Sequence, residues 1–142
     1  MHINPYLTFG GNCEEAIRAY QKILGGDIVA MMPYGETPEA ADTPAEWRKK
    51  IMHARLVFGG NVLMASDAPP DRFQKIQGIE VALNVKEPAE AERLFNALAE
   101  GARITLPLTE TFWAVKFGML TDRFGTPWLI NCEKPRDQAE KS

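Results

Sequence analysis

The sequence predicts an α+β fold in which two tandem β-α-β-β-β units form one domain over residues 1–142. The first observation is that strand-like and helix-like hydrophobic spacing recurs in the same order in both halves, with a period of about 75 residues. The second is that turns rich in glycine, proline and asparagine separate the segments. These turns place the first unit at 3–67, a linker at 68–78, the second unit at 79–134 and a polar tail at 135–142.

The first unit begins with a predicted strand over 3–9, and Pro5 places that strand at a sheet edge or at a strand start. A Gly-Gly turn follows, in which Asn12 is a good N-cap for a helix over 13–24. The helix carries apolar residues at helical spacing, namely Ala16, Ile17, Tyr20, Ile23 and Leu24. Three further strands are predicted at 27–34, 51–58 and 62–66, with a charged loop over 35–50.

The second unit repeats this order from a strand over 79–85. Its helix spans 87–101, with Pro88 in the first turn and Gly101 at the end, which is the usual asymmetry of helix termini. The apolar stripe of this helix consists of Ala91, Leu94, Phe95 and Leu98. The remaining strands are predicted at 104–108, 113–120 and 128–132, and a tight turn over 122–125 joins the last two.

Composition and charge narrow the range of functions. Hydrophobic residues make up 45% of the chain and charged residues 25%, which is typical of a globular domain. The net charge of −3 and the lack of a basic stripe argue against a nucleic-acid partner. No apolar run approaches the ~20 residues of a membrane helix, and no secretion signal is visible. We therefore expect a cytoplasmic protein with no membrane partner, in which Cys13 and Cys132 are reduced thiols.

Six short motifs follow one another between Ile3 and Lys134. They are Pro-Tyr-Leu-Thr-Phe (5–9), Tyr20-Gln-Lys-Ile-Leu-Gly, His53-Ala54, Met64-Ala65-Ser66-Asp67, Glu110-Thr-Phe-Trp113 and Asp122-Arg-Phe-Gly-Thr-Pro-Trp128. In this order, and with paired β-α-β-β-β units, the chain resembles the PhnB-like branch of the vicinal oxygen chelate superfamily. That superfamily includes glyoxalase I, extradiol dioxygenases, and the fosfomycin and bleomycin resistance proteins. The branch often carries a demethylubiquinone methyltransferase label, but no Gly-rich nucleotide-binding turn follows a parallel strand here.

The resemblance implies curled mixed sheets around a cavity, with the helices on the convex side and a divalent metal at the cavity floor. The implied ligands come from the first and last strands of each unit. In this sequence the four positions fall at Pro5 (or Tyr6 if a bulge shifts the register), Met64, Glu80 and Leu129. Of these, only Glu80 suits the hard or borderline ions of the superfamily. We therefore expect a degenerate site with no cofactor, although a divalent metal remains an option through Glu80.

Strand alternation predicts which other side chains face the cavity. Glu80 should face it together with Ala82 and Asn84, or else be an exposed carboxylate at a sheet edge. Pairing across the 122–125 turn places an apolar set on the same side as Leu129, namely Trp113, Val115, Phe117 and Met119. The alternative is that these aromatic residues fill the core or a dimer interface. Trp128, on the opposite face, is expected beneath the helix.

The predicted ligand-binding set is therefore Tyr6, Met64, Ser66, Glu80, Trp113, Phe117, Met119 and Leu129. His53 is the histidine placed within a motif, and an imidazole suits proton transfer near neutral pH, or else a hydrogen-bonded structural role. Glu110 is the second catalytic candidate. We predict a small-molecule-binding cavity protein, the alternative being a metal-dependent or His53 acid-base enzyme of the lyase, isomerase or dioxygenase type. The resemblance also implies a homodimer.

Overall fold

The computed structural model describes residues 1–135, and the chain divides into two compact units, Met1–Lys75 and Ile76–Ser142. The first contains β1 (Tyr6–Phe9), α1 (Cys13–Leu24), β2 (Asp27–Pro33), β3 (Ile51–Phe58) and β4 (Asn61–Asp67). The second contains β5 (Val81–Asn84), α2 (Pro88–Ala99), β6 (Arg103–Thr109), β7 (Ala114–Thr121) and β8 (Pro127–Glu133). The predicted α+β fold and its repeated β-α-β-β-β order are confirmed.

Each unit forms one four-stranded mixed sheet with the same topology. The strand orders are β1-β4-β3-β2 and β5-β8-β7-β6. In both sheets the first and last strands of the unit pair in parallel, while the other neighbours are antiparallel. A parallel pair requires a long crossover, which the helix and two strands between its members provide.

Several predicted boundaries move in the structure. The strand predicted over 3–9 begins at Tyr6, because Pro5 has no N–H to donate and only its carbonyl oxygen joins the ladder, accepting from the Met64 N–H at 3.2 Å. The strand predicted over 79–85 is only Val81–Asn84, so Glu80 precedes it. The loop predicted over 35–50 contains short 3₁₀ turns at Tyr34–Glu36, Ala40–Asp42 and Ala45–Trp47.

Helix α1 packs its apolar stripe on one face of the first sheet. Ala16, Ile17 and Tyr20 are completely buried, whereas Ile23 and Leu24 at the end of the predicted stripe are half-exposed. The sheet residues beneath the helix alternate along each strand, as expected for a half-buried sheet. They are Leu7, Phe9, Ala54, Leu56, Leu63 and Ala65.

Helix α2 covers the second sheet in the same way, and its whole predicted stripe is buried. Trp128 lies beneath it at 0% exposure, and its indole Nε1 donates to Asp122 Oδ2 at 2.8 Å. The helix approaches the sheet closely at Gly118. A Cβ atom there would lie 2.8 Å from Phe95 Cε2 and 3.1 Å from Leu108 Cα, so any side chain would force the layers apart.

Asn12 occupies the predicted N-cap position of α1, and its carbonyl oxygen accepts from the Ala16 N–H at 3.0 Å, but its side chain makes no capping hydrogen bond. Asp67, at the end of β4, caps the helix from a distance of more than fifty residues along the chain. Its Oδ1 accepts from the Gly11 and Cys13 backbone N–H groups at 2.9 and 3.0 Å, and its Oδ2 accepts from the Ile51 N–H at 2.8 Å. A carboxylate at a helix N-terminus also interacts favourably with the helix dipole.

Candidate functional site

Each helix covers one face of its own sheet, so the opposite face of that sheet is not covered by the helix. On β4 the helix-side residues Leu63, Ala65 and Asp67 are buried, while Met64 and Ser66 between them are half-exposed. The same alternation applies to β1 and β3. We call this surface the open face of the first sheet. It includes Tyr6, Thr8, His53, Arg55, Met64 and Ser66, and Arg55 pairs directly with Met64.

Four of the predicted site residues lie close together on this face. The Tyr6 and His53 rings are 6.0 Å apart between centroids, with 30° between their planes. Tyr6 pairs directly with Met64 across the parallel ladder. His53 and Ser66 each lie one residue beyond the paired Ala54 and Ala65. A phenol, an imidazole, a thioether and a hydroxyl thus share one partly exposed surface.

Tyr34, in the turn after β2, is a neighbour that the sequence analysis missed. Its hydroxyl donates to the Asp67 carbonyl oxygen at 2.8 Å. Burial raises the pKa of the Tyr34 phenol, Arg72 opposes this rise, and the charges of Asp67 and Tyr6 add to it. No local pattern signalled this residue, because its partner lies 33 positions away.

Asp67 belongs to the framework of the first sheet. Its side chain is 2% exposed, and both carboxylate oxygens accept backbone N–H groups. Lys50 supports the same loop, since its Nζ donates to the Gly11 carbonyl oxygen at 2.8 Å. Asp67 therefore holds the β1–α1 turn and the start of β3 in place.

The second sheet has a more apolar open face, defined by Ala82, Phe117, Met119 and Leu129. Leu129 pairs with Ala82 on one side and with Met119 on the other, and Phe117 pairs with Asn131. Trp128 pairs with Leu120 on the opposite, helix-covered face, so the predicted burial of Trp128 is confirmed. Val115, predicted to share this face, lies within a register shift between Ala114 and Lys116.

Exposed aromatic rings continue from this face into the segment before β7. The Trp113 ring packs edge-on against Phe117, with 5.2 Å between centroids, and Phe112 packs against Trp113 at 4.8 Å. Phe112 is 67% exposed and Trp113 37%. Large aromatic side chains at such exposure are candidates for contact with a ligand or a partner chain.

The two acidic candidates both lie in the second unit and both are exposed. Glu80 precedes β5, so the predicted alternation applies only from Val81 to Asn84. The side chain of Glu110 is 71% exposed, with Lys134 Nζ 3.9 Å from its carboxylate. His53 belongs to the first unit.

The residues present do not fit the metal implied by the superfamily. Pro5 offers no side-chain donor, Leu129 is a hydrocarbon, and the Met64 thioether is a soft ligand. Within residues 1–135 no group of three or more His, Cys, Asp or Glu side chains is arranged to hold a metal ion. A lone carboxylate at Glu80 does not make up the missing set.

Repeated β-α-β-β-β units, each with one helix covering one face of a mixed sheet, define the fold of the vicinal oxygen chelate proteins. Within that class, the chain belongs to the PhnB-like family described as 3-demethylubiquinone-9 3-methyltransferase, whose model matches residues 1–131.

Two relatives match the chain over nearly its whole length. The chain is 37% identical to protein YjdN of Escherichia coli K12 over 142 residues, covering 94% of this chain and 97% of that protein. It is similar to the crystal structure of protein PA1353 from Pseudomonas aeruginosa, with 54% identity, a TM-score of 0.87, and coverage of 95% and 99%.

More distant structures share the fold alone. The fosfomycin resistance protein FosX of Listeria monocytogenes is 8% identical, with a TM-score of 0.65 over 97% of each chain.

Among the helices of residues 1–135, neither is long and apolar enough to cross a membrane.

Proposed function

We propose that this protein binds a small molecule on the open faces of its sheets, in the manner of the glyoxalase and bleomycin-resistance type, and that its metal site is degenerate. The single observation that carries the proposal is that these faces present aromatic, thioether and hydroxyl side chains at or beside the positions where metal ligands are implied. The fold supplies the scaffold, and the site chemistry decides the function.

The side chains favour a ligand that is partly apolar. Phe117, Met119 and Leu129 give the second sheet an apolar surface, which Trp113 extends. Tyr6, His53 and Ser66 give the first sheet a few hydrogen-bonding groups. An apolar surface with a few oriented polar groups is typical of small-molecule sites. Each face offers this mixture by itself, since Met64 pairs with Tyr6 in the first sheet and Phe117 pairs with Asn131 in the second.

A methyltransferase activity has little support in this chain, despite the description of the family. Each sheet contains one parallel strand pair, and the described residues form no doubly wound parallel sheet with a Gly-rich turn. Such a turn is what a nucleotide-type methyl donor would be expected to require.

The second candidate is an acid-base enzyme that uses His53, and the contact between Tyr6 and His53 favours it. A half-exposed imidazole beside a phenol is able to move a proton to or from a bound molecule. Ser66, in the same unit, is a candidate for a polar contact in this reaction.

Metal content is the first test. Protein purified without a chelator should contain no stoichiometric zinc, nickel or manganese when measured by mass spectrometry of the elements. Stoichiometric metal that is lost in Glu80→Ala, and retained in the matched exposed variant Glu100→Ala, would contradict the degenerate site.

A thermal-shift screen of small metabolites is the second test, because a ligand that binds only the folded state raises Tm by mass action. We expect hits whose shift is lost in Met64→Ala and retained in Met31→Ala, a matched half-exposed methionine that pairs with Ala54 on the helix-covered face. If the wild-type protein converts a hit to a product, and His53→Gln binds the same hit without turnover, the protein is an acid-base enzyme that uses His53. A screen without hits that depend on Met64 counts against both.

We also propose a homodimer with reduced thiols in the cytoplasm. Support comes from the exposed apolar side chains Val29, Met32, Ile104 and Phe112, and from the two free, buried cysteines. Light scattering at micromolar concentration should give the dimer mass, and a monomer would overturn the assembly.

A further inference from the structure

The second unit contains a cleft of about 640 Å³ beside the start of α2. Its apolar lining consists of Val85, Pro88, Val115 and Pro135, and its polar lining includes the side-chain amides of Asn84 and Asn131. Asn84 ends β5, whereas Glu80 precedes that strand, so the cleft lies at the end of β5 away from Glu80.

Only one of the two polar atoms of the Asn131 side-chain amide has a hydrogen-bond partner among residues 1–135. Asn131 is 7% exposed, and its Nδ2 donates to Asn84 Oδ1 at 3.1 Å. Its Oδ1 is enclosed and has no hydrogen-bond partner among the described residues. Buried amide oxygens nearly always accept a hydrogen bond, since an unpaired one keeps its desolvation penalty.

A ligand could displace the Asn84 side chain from its hydrogen bond with Asn131. Its side chain is exposed, and the bond to Asn131 is the hydrogen bond that its amide makes within residues 1–135. Rotation of the Asn84 side chain would free the Nδ2 donor of Asn131, which lies beside the unpaired Oδ1 acceptor of the same amide. An asparagine amide pairs through two hydrogen bonds with any group that offers an adjacent acceptor and donor.

We propose that this cleft binds a small, mainly apolar, neutral molecule through a lactam or carboxamide edge, which replaces Asn84 and forms two hydrogen bonds with Asn131. The charges of the lining support a neutral ligand, because Lys86 and Glu133 are both exposed and opposite in sign. Asn131 pairs with Phe117, so the site lies at the end of the open face of the second sheet and rests on the proposed function of that face. The two can still fail separately, because the thermal-shift test depends on Met64 in the first unit and the test below depends on Asn131 in the second.

A matched pair of probes tests the hydrogen-bonding edge. The full ¹⁵N-labelled chain is titrated with 2-quinolinone, a bicyclic lactam, and with N-methyl-2-quinolinone, which lacks the N–H donor. We expect 2-quinolinone to shift the side-chain amide signals of Asn84 and Asn131 and the backbone signal of Val115, and to bind about tenfold more tightly than its methylated analogue. Equal affinities, or no shifts at these residues, would overturn the proposal.

Variants at Asn131 and Asn84 test whether the Asn131 amide is the group that pairs with the lactam edge of the probe. Asn131→Leu should abolish the preference for 2-quinolinone, while Asn96→Leu, a matched change on the exposed side of α2, should leave it unchanged. Should Asn131→Leu fail to fold, Asn84→Ala decides the question. That variant removes the competing hydrogen bond and should bind 2-quinolinone more tightly than wild type; unchanged or weaker binding rejects the site.

Discussion

In both units a twelve-residue helix begins beside a parallel strand pair, but the backbone N–H groups at the helix start are satisfied by different chemical groups. In the first unit the N–H of Cys13, the first residue of α1, donates to the buried carboxylate of Asp67. In the second unit the first residue of α2 is Pro88, which has no N–H to satisfy. The helix-side position near the end of the last strand is then Cys132, whose Sγ donates at 3.5 Å to the Lys86 carbonyl oxygen.

The difference teaches that the need for a buried acceptor depends on the first residue of the helix. A carboxylate is worth burying where several backbone N–H groups surround it, because each would otherwise lie unpaired. Where proline removes one of these donors, a thiol, which is small and only weakly polar, is sufficient.

The largest effect should come from removing the carboxylate of the first unit. Asp67→Ala leaves the N–H groups of Gly11, Cys13 and Ile51 without their acceptor, and we expect a loss of about 3 kcal/mol or more in the free energy of unfolding. Urea denaturation measures the loss. Asp71→Ala, an exposed carboxylate nearby, is the matched control and should change stability by less than about 0.5 kcal/mol. A small effect of Asp67→Ala would mean that water replaces the carboxylate.

The contact between helix and sheet offers a second comparison. Gly118 in β7 pairs with Ile130, and the corresponding pair in the first unit is Ala54 with Ala65. Gly118→Ala should destabilise the protein by about 1–3 kcal/mol, because the added Cβ meets the Phe95 ring. Phe95→Leu in the same chain should recover part of the loss, and a double-mutant cycle measures that coupling. If the two losses simply add, the close approach is not the cause.

Giving the second unit the carboxylate of the first should have a smaller effect on stability, and that effect should depend on the residue at position 88. Cys132→Asp alone buries a carboxylate without the donor that Pro88 lacks, so it should be clearly destabilising. Pro88→Ala restores that donor, and the pair should be more stable than the sum of the single changes predicts, with a coupling of about 1 kcal/mol. Zero coupling would show that the first residue of the helix does not determine the need for the carboxylate.

The smallest expected effect is on the pH dependence of the free energy of unfolding. Burial, followed by the charges of Asp67 and Glu14, raises the pKa of the Cys13 thiol above its ordinary value of 9.0. The folded state therefore retains a proton that the unfolded state loses, so stability is present below about pH 9 and falls as the pH rises further, by up to about 1.4 kcal/mol per pH unit. Cys13→Ala should flatten the unfolding free energy between pH 9 and 10, while an unchanged slope would assign the effect to other groups.

Much of the fold was predictable because its signals are local. The α2 stripe of Ala91, Leu94, Phe95 and Leu98 and the turn over 122–125 depend on spacing within a few residues. Asn12 shows where this reasoning fails. The local pattern correctly places Asn12 at the N-cap, but the side chain that accepts from N–H groups at this helix start is Asp67, which bonds Gly11 and Cys13, and no short window of sequence contains both partners.

The candidate site was predictable in part, for the same reason. Strand alternation and hairpin pairing indicated Met119 and Leu129 as neighbours on one face, and the register confirms that they pair. The contact of Tyr6 with His53, the bond of Tyr34 to Asp67, and the unpaired oxygen of Asn131 depend on which strands become neighbours. Their roles in binding stay predictions.

The sequence by itself determined the repeated order of helix and strands, the buried stripe of α2 and the unsuitability of Pro5, Met64 and Leu129 as metal ligands, because these follow from side-chain chemistry and local periodicity. Only the tertiary structure decided how the helix termini are satisfied and which polar groups remain unpaired. Hydrogen bonds between residues far apart in the chain form when parallel strands are brought together, and the chain order alone does not specify their geometry.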